Sequence, residues 1–222
     1  MKSLYLFGLL AMGVVVIIGL QGVNTHPGDF SQAHFDLPFV SQAPLEKWNE
    51  DLFQNACEEA SMYMVKLWRD HALIPPSAVV AENALMQMVQ YEQQYSIYKS
   101  MSLDHVQRLL RDVYHVDRSL SIDNPSVDMM KEYLRAGVFL VPASGAVLAN
   151  PHFRRPFPAY HMMVLIGYND TTGEFIVNDP GTKFGKDFRY PYATVMDAMH
   201  DWTGSRESIL DGAKRVLYVP RQ

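Results

Sequence analysis

The stretch His161-Met162-Met163-Val164-Leu165-Ile166-Gly167-Tyr168, Asn169-Asp170-Thr171-Thr172-Gly173, Glu174-Phe175-Ile176-Val177-Asn178-Asp179-Pro180 reads as a single hairpin. Two apolar runs of strand length flank a loop made of turn-forming residues. Residues that face each other across an antiparallel pair have numbers that sum to a constant, so the loop centre sets the register. A centre at Thr171 puts His161 opposite Gly181, and a centre one residue earlier puts it opposite Asp179. The imidazole that heads one strand and the carboxylate just beyond the other are therefore expected to be neighbours. Such a carboxylate fixes the tautomer and the aim of a histidine. Taken singly, each residue also has a plain reading, as a strand-capping histidine and an Asp-Pro turn.

Val138 to Val141, Phe188 to Tyr190 and Arg215 to Val219 are further strand-length runs, with a helical patch from Tyr192 to Trp202. The first half has a different texture. Ala60, Tyr63, Met64, Leu67 and Trp68 recur at helical spacing and place one apolar face on a helix over about 55–71. Pro75-Pro76 end it. Further helices are expected from Ser77 towards Tyr98, after the cap Ser102, and from Asn124-Pro125 to Gly137. Phe35 to Val40 reads as a short edge strand limited by Pro38. Helices first and antiparallel strands second define an α+β domain.

Cys57 is the only cysteine in 222 residues, and it opens the best-supported helix as Cys57-Glu58-Glu59-Ala60-Ser61. One cysteine excludes an intrachain disulfide and any multi-cysteine zinc site. A helix start or a nearby imidazolium lowers a thiol pKa, and the backbone amide there faces outward as an oxyanion donor. Glu58 and Glu59 act in the opposite sense. By itself Cys57 reads better as a small buried hydrophobe. A lone thiol with a distant histidine and carboxylate is nevertheless the set that a cysteine hydrolase needs. Gln42 and Gln54 both precede Cys57 and each could donate an amide to an oxyanion; spacing does not choose between them.

Composition bounds the partners. The net charge is −5 with pI near 5.9, and there is no Lys/Arg-rich run, so nucleic acid is not expected. The histidines lack metal-ligand spacing, and neither a metal nor another cofactor is expected. Leu4 to Leu20 is uncharged over 17 residues. That length spans roughly 25 Å as a helix, against a bilayer core of about 30 Å. Residues 1–23 read as an uncleaved membrane anchor, with a cleaved secretory signal as the alternative. Lys2 precedes the segment and the next Lys or Arg is Lys47, which places the domain on the extracytoplasmic side. Residues 24–34 read as a linker and 35–222 as one domain. The loop from Ser144 to Ala159, with three prolines and the pair Arg154-Arg155, is either a surface connection or a lid beside His161.

Four pieces occur in order: Leu37-Pro38-Phe39-Val40-Ser41-Gln42, Cys57-Glu58-Glu59-Ala60-Ser61, His161 to Tyr168, and Asn178-Asp179-Pro180-Gly181. Together they resemble the C-39-like peptidase family, a papain-like group named for peptidases that trim bacteriocin leaders. The resemblance implies a papain-like cysteine peptidase fold, with N-terminal helices packed on a C-terminal antiparallel sheet. It implies Cys57 as nucleophile, His161 as general base, Asp179 as its orienter and Gln42 as oxyanion donor, acting on a peptide or protein substrate. Glu58 and Trp48 are possible substrate contacts. Two departures stand out. Gln42 lies fifteen residues before Cys57, much farther than in the bacteriocin-processing members, and Glu58 replaces their glycine. The chain resembles instead a Cys-Glu subgroup of bacterial exported or membrane-anchored proteins. A cell-wall amidase or acyltransferase on the same triad, and a non-catalytic papain-like binding module, are the competing functions.

Overall fold

The computed structural model describes residues 31–97 and 99–221. The expected anchor over 1–23 and most of the linker lie outside the described residues. Among the described residues no helix is long and apolar enough to cross a membrane.

Among the described residues seven antiparallel strands form one sheet: β1 (Gln32–His34), β2 (Leu120–Asp123), β3 (Gly137–Ala143), β4 (His161–Asn169), β5 (Glu174–Asn178), β6 (Phe188–Pro191) and β7 (Arg215–Pro220). Their order is β2-β7-β3-β4-β5-β6, with β1 on β4. β3 pairs with the first half of β4, and β1 takes the same edge farther along, at Gly167 to Asn169. A Cβ at Gly167 would lie 2.2 Å from the Ala33 carbonyl oxygen, so only glycine lets β1 approach.

Among the described residues seven α-helices accompany the sheet: α1 (Asp51–Gln54), α2 (Cys57–Arg69), α3 (Ala78–Gln94), α4 (Leu103–Asp112), α5 (Val127–Tyr133), α6 (Gly145–Leu148) and α7 (Tyr192–Ala198). α2 lies against β4, where the Ser61 hydroxyl donates to the Met162 carbonyl at 3.3 Å, and α3 and α4 cover it from outside. Its sequence shows one apolar face, yet almost every residue from Cys57 to Val65 is buried, because helices wrap the side turned away from the sheet.

Strand alternation then sorts the core in two. Val138, Leu140, Met162, Val164 and Ile166 face α2, α3 and α4. Phe139, Val141, Met163, Leu165 and Val177 face a second cluster containing Met130, Leu134, Val195 and Ala198 from the α5 and α7 regions. Burial on both faces explains why the central strands read as unbroken apolar runs rather than alternating ones. The fold is therefore α+β as expected, with helices on one face of the sheet and a second covering layer on the other.

Three boundaries differ from the sequence reading. Residues 32–34 of the expected linker form β1. The strand expected over Phe35 to Val40 is absent: Phe35 still donates its N–H to Ile166, but the ladder stops, and Pro38 has no N–H to continue it. β2 has no apolar run to announce it, since it is an edge strand with half its residues exposed.

Candidate active site

The β4–β5 register runs Leu165↔Val177 and Val164↔Asn178, the constant that a loop centred on Thr171 requires, with a bulge between Leu165 and Gly167. Extended by three residues, it brings His161 to Gly181. A Cβ at Gly181 would lie 2.8 Å from His161 Cε1, so the missing side chain is the space the imidazole uses. Asp179, two residues earlier, reaches His161 Nε2 with Oδ1 at 2.8 Å. Both side chains are buried.

Asp179 is held from every side. Gly181 N–H donates to Oδ1 at 3.0 Å; Tyr190 Oη and Asn150 Nδ2 donate to Oδ2 at 2.7 and 3.0 Å. Burial works to raise its pKa, but the attraction of His161 and the hydrogen bonds from His161, Tyr190 and the Gly181 N–H outweigh that and hold the carboxyl below its usual range. An ionised Asp179 only accepts hydrogen bonds, so His161 presents an N–H at Nε2, and in the neutral ring Nδ1 is the bare acceptor. Phe153 packs edge-on against the imidazole at 4.9 Å. Asn150 and Tyr190 escaped the sequence reading, whereas Gly181 is the position it sets opposite His161 and Phe153 belongs to the loop it places before that strand. Asn150 and Tyr190 are 29 and 11 residues from Asp179, and one chain carries no sign of such pairings.

Cys57 is the first residue of α2, preceded by Ala56, whose side chain cannot cap the helix. Its amide is among those that a helix start leaves without an intrahelical partner. The thiol is buried and donates to Glu58 Oε2 at 2.8 Å, rather than to His161. Burial first, then the charges of Glu58 and Glu59, push its pKa well above the ordinary thiol value; only a backbone contact from Met162 opposes them.

Behind the thiol lie three buried carboxyls. Glu58 accepts from the Met101 N–H at 3.0 Å. Glu59 Oε2 and both oxygens of Glu92 have no donor among the described residues. Burial raises the pKa of all three, with the charge of Glu59 adding to it on Glu58 and Glu92. Glu58 is pushed up to about 8 and Glu59 to about 7. Glu59 and Glu92 satisfy one another when a proton lies between them. Carboxyls with raised folded pKa values stabilise the protein below their unfolded value of about 4.3, and that contribution is lost as pH rises through the folded values. The melting temperature is therefore expected to fall by about 5 °C or more between about pH 5.5 and 8.5. Differential scanning calorimetry checks this, and Glu59→Gln/Glu92→Gln should flatten the dependence.

One cleft of about 390 Å³ is lined by Cys57, His161, Gln42, Gln54 and Trp48 together. Gln42 is buried; its N–H donates to the Pro180 carbonyl and its Nε2 to the Phe53 carbonyl at 2.9 Å. The fifteen-residue gap is taken up by a largely exposed loop carrying Trp48 and by α1, both of which contribute to the cleft wall before the chain reaches Cys57. Gln54 lies on the same wall but is exposed. Glu58 is a correction: expected as a possible substrate contact, it is fully buried behind Cys57 and does not line the cleft. Residues 153–160 form one wall, so the proline-bearing loop lies beside His161. Among the described residues no group of three or more His, Cys, Asp or Glu side chains is placed to hold a metal ion.

A thiol at the start of a buried helix, sharing a cleft with a strand-borne His–Asp pair, on helices packed against an antiparallel sheet, defines the papain-like α+β class. The model of the Peptidase_C39 like family matches residues 34–208, and the chain belongs to that family. Among solved structures, a C39-like peptidase candidate from Bacillus anthracis shares the fold with TM-score 0.53 at 12% identity, over 86% of this chain and 98% of that one. No curated protein matches the sequence.

Proposed function

We propose that this protein is a cysteine peptidase that cleaves through an acyl-enzyme on Cys57. The observation that carries the reading is the His161–Asp179 pair, fixed by Tyr190, Asn150 and Gly181, in one cleft with the chain's single thiol and with Gln42. The arrangement in hand is a resting one, with the thiol proton shared with Glu58. Rotation about the Cα–Cβ bond takes Sγ off Glu58 and towards the bare Nδ1 of His161. Nδ1 accepts the proton, and the sulfur electron pair forms the bond to the carbonyl carbon.

The oxyanion is received by the Cys57 amide and by Gln42, whose Nε2 has a second hydrogen beyond the one given to Phe53. Gln42 is favoured over Gln54 because burial and two backbone partners hold it still. His161 then gives its proton to the leaving amine, the C–N bond breaks, and water releases the acyl group by the same base. A peptide mixture rapidly quenched in acid should yield an intact mass shifted by an acyl fragment on Cys57, absent in Cys57→Ala. Turnover without such an adduct, or an adduct on another residue, would exclude this route.

The site is proposed to work outside the cytoplasm, held by residues 1–23, on the strength of Lys2 and the uncharged run after it. Alkaline carbonate should leave the full chain in the membrane pellet and release a chain starting at residue 24. Release of both contradicts the anchor.

A further inference from the structure

The charge around the cleft is opposite to that of the chain. Asp and Glu outnumber Lys and Arg by 24 to 19 overall, yet the cleft is lined by four cations, Lys99, Arg154, Arg155 and Arg206, against one carboxylate, Asp51. Asp51 is already engaged by Lys99 at 2.9 Å. None of the three arginines makes an ion pair among the described residues. Arg155 stacks over the Phe157 ring at 3.7 Å, and Arg206 donates to the neutral Asn55 side chain at 3.0 Å. Elsewhere Lys47, Lys66, Lys131, Lys183 and Lys186 each sit on a carboxylate. Arg69 and Lys214 rest on backbone carbonyls instead, and Arg206 feels the neighbouring Glu207, but three guanidiniums without an ion pair gathered around one cleft set it apart.

Their positions straddle the reacting groups. Arg154 and Arg155 are on the loop that leads to His161, and Arg206 is tied to the turn that leads into Cys57. A guanidinium offers a planar fork of donors that matches a carboxylate, and a walled cleft concentrates such a field. The aromatic and proline surface between them suits the apolar part of a chain. From this we infer that the cleft selects peptides with Asp or Glu side chains close to the scissile bond. This substrate class rests on the peptidase reading but can be tested without turnover.

The probe is a synthetic pool of octapeptides, one half blocked at both ends and the other with free C-termini, passed over immobilised Cys57→Ala protein. The blocked peptides retained at about 50 mM salt should be enriched about threefold or more in Asp and Glu, and about 500 mM salt should remove the enrichment. Adding Arg154→Glu and Arg155→Glu should abolish or invert it, with circular dichroism confirming the fold. A retained fraction no richer in acid than the input overturns the inference. So does enrichment confined to free C-termini, or enrichment that survives the charge reversal. Whether the wild type hydrolyses any peptide is read separately, so failure of the peptidase reading and failure of this preference give different results.

Discussion

His161→Ala and Cys57→Ala are each expected to lower kcat/KM for peptide hydrolysis by about a thousandfold or more. The size follows from roles that act as a unit: without the base the thiol keeps its proton, and without the thiol there is no covalent step. For this chain the dependence should be at the upper end. Burial and two acidic neighbours hold the thiol far above the ordinary pKa in the resting arrangement, so Cys57 has no reactivity of its own to fall back on. The double variant should be little worse than either single one. Measuring both singles and the double on one peptide checks this, and effects that multiply would mean that the two residues act independently.

Asp179→Ala is expected to cost about 3 kcal/mol or more of stability. The carboxylate collects the Gly181 N–H, the Tyr190 hydroxyl, the Asn150 amide and the imidazole, all in a buried setting. Its removal strands those donors and leaves His161 without an orienter. Asp179→Asn keeps much of the volume and separates the two effects. It should lose less stability than alanine but about a hundredfold or more in kcat, because an amide no longer fixes the proton on Nε2. Urea unfolding and steady-state kinetics on the two variants test this. Equal stability losses would show that the charge, rather than the donors left behind, carries the effect. The pH sign is opposite to that of the glutamate cluster. Asp179 has a depressed pKa, so its stabilisation is present above the unfolded value of about 3.9 and is lost as pH falls below it.

The sequence was most readable where geometry is periodic. The hairpin's length alone brought His161 to Gly181 and made Asp179 its neighbour, because strand pairing converts position into contact by addition. α2 was readable from its spacing, but its depth was not. A helix with one clear apolar face is ordinarily exposed on the other, and two adjacent glutamates strengthen that expectation. Here α3 and α4 cover the far side, and Glu58 and Glu59 are buried, with pKa values that burial pushes up. Glu58 was thus misplaced on the cleft wall for a reason no local pattern reveals. Asn150 and Tyr190 were invisible because their role exists only once the loop after β3 and the strand β6 meet at Asp179. Gln42 could be named from a resemblance, but its arrival in the cleft depends on how the loop before Cys57 folds.

In the proposed mechanism Cys57 and His161 become a reacting pair. The rate of Cys57 alkylation by iodoacetamide as a function of pH, in wild type and in His161→Ala, tests it most directly. A thiol that moves from Glu58 to His161 should give a wild-type profile with appreciable reactivity well below pH 8, lost in His161→Ala, where only a step above about pH 9 remains. Identical profiles, with that single high step in both proteins, would contradict the pairing.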